Sequence, residues 1–281
     1  GAIQSVNNAA CTTIGKMLAA SEKYSGEATA VWHANHFAIF LFGRNQRGGQ
    51  SIGILTETFA GAGGARSFGD GVDVGGEIPN PISRMANVET MENAFPMRYL
   101  FRRRMMDSGG AGKYRGGLGM EIALVPHDAP DGGIHYVISG KGTDFPMSDG
   151  LAGGYPGAPN SYVWVHNNEI DDALKNEDSR YAQHVDNMAG NQERISWGVF
   201  PMMGEDSLYL RWNGGGGFGD PLEREPDALL TDCREGTVSS EVALDVYGVV
   251  FVDDLKSVDE AATTTRRAGL RGARTAVEAA E

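Results

Sequence analysis

Residues 107–119 read DSGGAGKYRGGLG, and this stretch determines how the rest of the chain is expected to fold. It contains six glycines and lies between two runs of strand-like residues. Glycine permits positive φ, and it lets one backbone approach another without an intervening Cβ. Segments 61–76, 149–159 and 214–221 share this composition. Because hairpin turns do not need glycine at this density, the sequence predicts irregular segments packed closely against one another.

Strand-like residues separate the glycine segments. The continuous apolar run at 37–42 predicts a strand that is buried on both faces, and a second strand is expected at 51–59. Residues 167–190 are polar and acidic and predict a long surface excursion. The remaining predicted strands are 98–105, 120–125, 134–139, 162–165, 207–212 and 249–252.

Helical patterns lie mostly at the two ends of the chain. They predict helices at 1–26, 88–94, 227–234 and 240–246. Ser257 and Glu260 have capping-box spacing, which predicts a final helix from Ser257 toward Ala280. The arginines of that helix are expected to face solvent or another subunit. The fold class predicted is mainly β (α+β), with glycine-rich segments that resemble polyproline II and helices at both ends.

The bulk composition limits the partners. Net charge is −13 with a pI of about 4.9, which argues against nucleic acid and against an anionic membrane surface, because both need a basic face. Cys11 and Cys233 are the two cysteines and form no CxxC. They are typical of a reducing, cytoplasmic setting. No apolar run of membrane-spanning length occurs. A chain that begins at Gly1 is expected of a processed piece or a fragment of a longer polypeptide.

Two groups of charged residues lie in the glycine segments. Lys113 and Arg115 could bind an anion such as phosphate, carboxylate or bicarbonate. The alternative is a tight packing loop whose cations are solvated. Asp70 and Asp73, in GDGVD, could bind a hard cation. The alternative for them is hydrogen bonding to their own turn backbone.

Two further pairs are weaker candidates. Glu89 and Glu92 lie three residues apart in a predicted helical turn and could form an acid/base pair or a metal-binding face, although a solvated helix face explains them better. His33 and His36 could bind a metal, but on a strand this spacing does not place them on one face. Neither a GxSxG elbow nor a Cys–His nucleophile signature occurs. The residues alone therefore define no reaction.

The ordered set of motifs resembles a known family. The set comprises 61–73, 87–96, 107–119, 150–159, 214–226 and 235–250. It is similar to the C-terminal half of the hydantoinase B/oxoprolinase family, which includes the B-type subunits of acetone and acetophenone carboxylases. The motifs follow the family's order, and the resemblance makes 1–221 the family domain and 222–281 a C-terminal helical extension.

The resemblance implies a fold and a set of partners. The fold would be a barrel-like pair of β-sheets that runs into a bundle of polyproline-II segments. The partners would be a hydantoinase A-type ATPase subunit, which binds ATP, and the N-terminal half of the B-type subunit, in a hetero-oligomer. A divalent metal (Mg, Mn or Zn) would be held by that N-terminal half, so His33 and His36 are not carried over as family ligands.

The resemblance also implies a reaction class. The stretch 89–104 and the intact 109–119 favour a ketone carboxylase of the acetophenone type that uses bicarbonate. The alternatives are an ATP-dependent hydrolase of a cyclic amide (hydantoin, oxoproline or a lactam) and a non-catalytic half that docks the ATPase. The isolated chain is expected to be inactive and to expose apolar surface. The predicted catalytic residues are Glu89, Glu92 and Arg115, and the predicted substrate or anion ligands are Lys113, Arg115, Asp70 and Asp73.

Overall fold

The computed structural model describes residues 2–33, 39–77, 80–81, 84–130, 133–167, 169–177 and 184–278. Most of the strands belong to two antiparallel sheets. The helices are α1 (Ala2–Ala19), α2 (Val88–Ala94), α3 (Ile170–Lys175), α4 (Pro226–Arg234), α5 (Ser240–Asp245) and α6 (Glu260–Glu278). The strands are β1 (Ile39–Arg44), β2 (Gln50–Ile54), β3 (Gly76–Glu77), β4 (Asn80–Pro81), β5 (Met97–Arg104), β6 (Met120–Pro126), β7 (Ile134–Ser139), β8 (Ser161–His166), β9 (Asn191–Arg194), β10 (Trp197–Met202), β11 (Ser207–Arg211), β12 (Phe251–Val252) and β13 (Ser257–Val258).

The two main sheets are open. One has four strands in the order β10-β7-β1-β2, and the other has five in the order β5-β6-β11-β8-β9. Two small sheets pair β3 with β4 and β12 with β13. Within the described residues neither main sheet closes on itself. The mixed, mainly antiparallel β architecture is therefore confirmed, and the barrel-like element of the prediction is corrected to two open sheets.

The main core lies between the inner faces of the two sheets. Strands of the four-stranded sheet contribute Leu41 and Tyr136, and strands of the five-stranded sheet contribute Leu124 and Trp164. These side chains alternate with outward-facing residues, as the period of two along a strand requires. The five-stranded sheet is also covered on its second face, where Val163, Tyr209 and their neighbours form a smaller cluster with the 184–188 region.

The outer face of the four-stranded sheet is apolar and exposed. Phe42 lies opposite Ile52 on one side and His135 on the other. Ile52 is 81% exposed and Trp197 78%. The prediction that 37–42 is buried on both faces is therefore wrong for the described part of that run, because none of the described residues forms a second layer over this face. Residues 37 and 38 lie outside the described residues.

Two edge strands were not predicted. All four residues of β9 are exposed, so no apolar alternation marks it. Strand β10 contains Gly198 and Pro201 and pairs with β7 on one side only. Proline is tolerated in sheets at such an edge, because no second neighbour needs its missing N–H. The expected strand at 51–59 is also shorter than predicted, since Thr56–Phe59 forms a 3₁₀ turn.

The glycine segments pack on one another through their backbones. Gly215 donates its N–H to the Gly117 carbonyl at 2.9 Å, and its own carbonyl accepts from Gly110 at 2.8 Å. A Cβ on Gly215 or on Gly116 would lie less than 3.0 Å from carbonyl groups of neighbouring segments, and neither residue has positive φ. These glycines are therefore needed for close approach and not for turns. Their assignment to polyproline II stays a prediction.

The C-terminal helices pack on the first glycine motif. Leu229, Ala243 and Tyr247 form a buried cluster with Ala111 of the 107–119 segment. The start of α6 differs from the prediction, because Ser257 lies in β13 and the Asp259 carboxylate accepts from the Ala262 N–H at 2.9 Å. The boundary at 221 stays a prediction. No helix among the described residues has both the length and the hydropathy needed to cross a membrane.

Candidate functional site

The two aspartates of the 61–76 segment meet the 107–119 segment. The Asp70 carboxylate accepts from the backbone N–H of Arg115 at 2.7 Å, and Asp73 accepts from that of Leu118 at 2.8 Å. Backbone bonds run beside these contacts, for example from the Gly71 N–H to the Arg115 carbonyl at 2.8 Å. Both aspartates therefore hold two glycine segments in register.

The Arg115 side chain is buried in this contact. Its Nη1 donates to the Asp73 carboxylate at 3.0 Å and to the Gly116 carbonyl at 2.9 Å. Its Nε lies 3.5 Å from Asp232 Oδ1, an electrostatic contact without hydrogen-bond geometry. Only 9% of the side chain is exposed. Little of this guanidinium is left to meet a substrate in the described structure.

Arg224 is the centre of the cluster, and sequence reasoning did not select it. It forms two parallel hydrogen bonds to Asp70, both 2.8 Å long. It also donates to Asp232 through Nη2 at 2.6 Å and Nε at 3.1 Å, and to the Lys113 carbonyl at 3.2 Å. All five of its N–H donors are therefore used, which satisfies the hydrogen-bonding capacity of a buried guanidinium.

The charges of the cluster balance. Arg104 adds a 2.8 Å contact to Asp73, so three arginines face three aspartates. Burial alone would raise the pKa of Asp70, but the hydrogen bonds and charge of Arg224, with help from Arg115, hold that pKa below its ordinary value. Burial would likewise lower the pKa of Arg115, but Asp73 and Asp232 raise it. Three guanidinium groups are thus set against three carboxylates, so no net formal positive charge is left over for an anion. The three arginines are Arg104, Arg115 and Arg224, and the three aspartates are Asp70, Asp73 and Asp232.

Lys113 differs from Arg115 because it is exposed. It lines a cavity of about 430 Å³ beside the cluster, together with Tyr114, Glu223 and Glu225. Its ammonium lies 6.0 Å from the centre of the Tyr114 ring. Of the two cations predicted to bind an anion, Lys113 is the one that a small molecule can reach, although the carboxylates of Asp70, Glu223 and Glu225 share its cavity.

The structure keeps Glu89 and Glu92 apart from this cluster. Glu89 is exposed in the first turn of α2, where Asn87 caps its backbone N–H. The Glu92 carboxylate accepts from the Tyr99 backbone N–H at 2.8 Å. Among the described residues, no hydrogen bond or ion pair joins either glutamate to Arg115. Their catalytic role stays a prediction.

His33 is buried, and its environment fixes its tautomer. The Asn8 amide nitrogen donates to the Met147 carbonyl and lies 2.9 Å from His33 Nδ1. Since that nitrogen carries the amide hydrogens, Nδ1 accepts and the proton of the neutral ring lies on Nε2. Nε2 then has no lone pair for a metal. His36 lies outside the described residues.

A resident metal does not fit the residues that the structure describes. No group of three or more histidine, cysteine, aspartate or glutamate side chains is arranged there to hold an ion. The three aspartates of the cluster are engaged by arginine guanidinium groups, which occupy the positions that a cation would take.

Burial of His33 predicts a pH dependence of stability. Burial, with a smaller contribution from the charge of Lys141, lowers the pKa of His33 from 6.5 to about 4. Below pH 6.5 the unfolded chain binds a proton that the folded chain rejects, so stability falls as the pH drops from 6.5 to about 4. The loss expected from this group is about 3 kcal/mol.

Denaturant unfolding across that pH range checks this expectation. His33→Gln should flatten the acid side of the stability curve, whereas His127→Gln, which alters a half-exposed histidine, should leave its shape unchanged. Equal slopes for wild type and His33→Gln between pH 6.5 and 4 would contradict the assignment.

The sequence also gave no indication of the buried carboxylate of Glu57. Glu57 is fully buried and accepts from the Tyr99 hydroxyl and from Arg102, both at 2.9 Å. Burial, followed by the charge of Glu57, raises the pKa of Tyr99 well above its ordinary value. The only local signal for this cluster was a glutamate in the short TETF run between Leu55 and Ala60. For Arg224 it was an arginine between two glutamates that follows a glycine motif.

Two open sheets lead into glycine segments that pack backbone to backbone, and buried ion pairs hold those segments to C-terminal helices. The sequence profile of the family described as hydantoinase B/oxoprolinase matches residues 2–221. The chain belongs to the hydantoinase B/oxoprolinase family.

Two curated relatives show where the similarity lies. The acetone carboxylase alpha subunit of Xanthobacter autotrophicus is 32% identical over 225 residues, which cover 74% of this chain and 28% of the relative. The acetophenone carboxylase delta subunit of Aromatoleum aromaticum is 28% identical over 249 residues, covering 84% of this chain and 36% of the relative. The chain thus spans about a third of the length of these relatives.

Solved structures share the fold. The nucleotide-free structure of acetone carboxylase superimposes with a TM-score of 0.78 at 29% identity, covering 94% of this chain and 37% of that chain. The ATP-dependent caprolactamase of Pseudomonas jessenii gives a TM-score of 0.64 at 26% identity, covering 88% of this chain and 40% of that chain. One fold therefore serves a carboxylase and a lactamase, so the fold alone does not select the reaction.

Proposed function

We propose that this chain is part of the B-type subunit of an ATP-dependent multisubunit enzyme. The observation that carries the proposal is the match over 94% of the chain to acetone carboxylase, at a TM-score of 0.78. The chain covers about a third of each relative, so the active complex needs further polypeptide. We assign ATP binding to a hydantoinase A-type partner and the divalent metal to the N-terminal half of the B-type subunit, in the cytoplasm.

The exposed sheet face supports the need for a partner. Phe40, Phe42 and Ile52 present apolar side chains to solvent on one side of this sheet. Val199 and Trp197 of β10, which lies beyond β7 in the same sheet, extend the same surface. Broad apolar surfaces of this kind mark protein interfaces. We assign this face to contact with the rest of the B-type subunit or another subunit of the complex.

Among reactions, we favour carboxylation of a ketone with bicarbonate, of the acetone or acetophenone type. The two curated relatives above support this choice. The alternative is ATP-dependent hydrolysis of a cyclic amide, which the similarity to caprolactamase supports. In either case the proposed role of Lys113 is to attract an anionic group toward the cavity that it lines.

Turnover by the natively isolated complex separates the two reactions. With ATP, labelled bicarbonate and a ketone, the carboxylase proposal predicts label in the product and ATP hydrolysis that depends on bicarbonate. With caprolactam or hydantoin, the hydrolase alternative predicts ring opening that is unaffected by bicarbonate. Ketone-dependent ATP hydrolysis without any effect of bicarbonate would contradict the carboxylase proposal.

A non-catalytic role for this chain has its own support, because the buried charges of the cluster are already paired. Under this reading Arg115→Ala lowers the yield of assembled complex and leaves turnover per complex unchanged. Lys113→Met serves as the matched variant, since it removes an exposed cation from the same segment. A fall in turnover per complex in Arg115→Ala alone would favour the catalytic reading.

A further inference from the structure

The five-stranded sheet carries a row of charged side chains on the face away from the main core. Arg103 on β5 lies opposite Glu121 on β6, and Glu121 lies opposite Arg211 on β11. These residues share a face with Tyr209 and Val163, which belong to the outer apolar cluster, because residues two apart on a strand point the same way. The row therefore continues the apolar outer face as a polar strip.

A pocket of about 380 Å³ opens at the end of this strip. Arg211 lies opposite Ser161 of β8, and Arg194 of β9 lies opposite Val163, two residues further along the same strand. Since β11 and β9 flank β8 on opposite sides and the two positions differ by two residues along it, the Cα atoms of the two arginines lie roughly 12 Å apart. The polar side chains that line the pocket are Ser161, His184, Asp186, Gln192, Arg194, Tyr209 and Arg211.

The acidic group nearest to the pocket in the sheet is already engaged. Glu121 accepts from Arg103 at 2.7 Å and from the Tyr209 hydroxyl at 2.5 Å. Arg211 Nε is buried and has no hydrogen-bond partner among the residues that the structure describes. Neither Arg194 nor Arg211 forms an ion pair with any other described residue. The pocket therefore contains two arginines whose charges the sheet does not neutralise.

The other polar side chains at the pocket do not change this balance. His184 Nδ1 accepts from the Asp186 backbone N–H at 3.2 Å. The Asp186 carboxylate lies 3.2 Å from that ring nitrogen and is 79% exposed, so it faces solvent at the rim. The Gln192 amide donates to the carbonyls of Val185 and Met188. One exposed carboxylate is thus set against two arginines.

We propose that this pocket binds a small oxyanion, a carboxylate or a phosphate group, through Arg194 and Arg211. The planar guanidinium matches the geometry of both groups and forms charge-assisted hydrogen bonds to them. The Ser161 hydroxyl is a further donor at the pocket, whereas the Tyr209 hydroxyl is already committed to Glu121. This site is separate from the Asp70–Arg224 cluster and does not rest on the proposed reaction.

Equilibrium dialysis with labelled inorganic phosphate tests the proposal, using the full chain with whatever subunits co-purify. We expect Arg194→Met to raise the Kd of one phosphate site per chain by at least about fivefold, and Arg211→Met by about tenfold or more. Arg44→Met, which removes an arginine from the four-stranded sheet, should leave that site unchanged. Arg194 is exposed, so its variant should fold even if Arg211→Met does not.

Competition by acetate then identifies the preferred anion. Displacement of the labelled phosphate by millimolar acetate would support a carboxylate site, and resistance to acetate would support a phosphate site. Phosphate binding of the same stoichiometry and Kd in wild type and Arg194→Met would overturn the proposal, because any bound phosphate would then lie elsewhere. If dialysis with labelled phosphate and with labelled acetate both showed no binding to wild type, the proposal would be overturned as well.

Discussion

Replacing Arg224 with methionine is expected to lower the free energy of unfolding by roughly 3–5 kcal/mol. The change removes all five hydrogen bonds of the guanidinium and leaves Asp70 and Asp232 without their main counter-ion. Asp232 is buried, so water does not replace the lost contacts. Methionine keeps much of the side-chain volume, so the loss reports the charge and hydrogen bonds more than a cavity.

Urea unfolding measures this loss, and limited proteolysis shows where the chain opens. We expect cleavage to begin in the C-terminal extension, because Arg224 connects it to both glycine segments. Arg266→Met is the matched control. Its ion pair with Asp245 is 2.9 Å long but largely exposed, so the expected change is below about 1 kcal/mol. Similar losses in the two variants would show that Arg224 is not the centre of the cluster.

Replacing Gly215 with alanine is expected to cost at least about 3 kcal/mol or to prevent folding. The added Cβ would lie less than 3.0 Å from the backbone of Gly63 and Gly64. A side chain could rotate away, but a backbone carbonyl held by its own hydrogen bonds cannot. Moving Gly215 away from Gly63 and Gly64 would also disturb the hydrogen bond from the Gly215 N–H to the Gly117 carbonyl, which lies in the 107–119 segment.

Gly204→Ala provides the comparison, because a Cβ on Gly204 has no neighbour within 4 Å and the residue lacks positive φ. Its expected effect lies within about 0.5 kcal/mol of zero. Thermal unfolding and the yield of soluble protein give the measurement for both variants. If Gly215→Ala unfolded at the wild-type temperature, the close packing of the glycine segments would be wrong.

Local patterns predicted those elements whose own residues carry the signal. Strand β7 has the predicted bounds because Ile134–Ser139 alternates between buried and half-buried residues. Helix α2 was predicted at Val88–Ala94, directly after the Asn87 cap. Strands β9 and β10 were missed, because a polar edge strand and an edge strand with proline resemble loops. Their pairing partners are distant in sequence and determine them instead.

For the candidate site, the sequence predicted some of the charged residues but not how they pair. The glycine motifs indicated Asp70, Asp73 and Arg115, but no periodicity relates them to one another. Arg224 lies 154 residues from Asp70, and only the close packing of the glycine segments brings the two together. The resemblance identified the family because six ordered motifs are specific. It did not indicate which charged residues pair within the fold.

The mass and ATP hydrolysis of the natively isolated particle test the central claim most directly, namely that this chain functions as part of a larger ATP-dependent enzyme. Native mass spectrometry should show the 30.0 kDa chain bound to an ATPase subunit and to polypeptide that completes the B-type subunit. The particle should hydrolyse ATP when a ketone or a cyclic amide is supplied. A stable monomer of 30.0 kDa that associates with no ATPase, and whose apolar sheet face stays exposed in solution, would contradict the account.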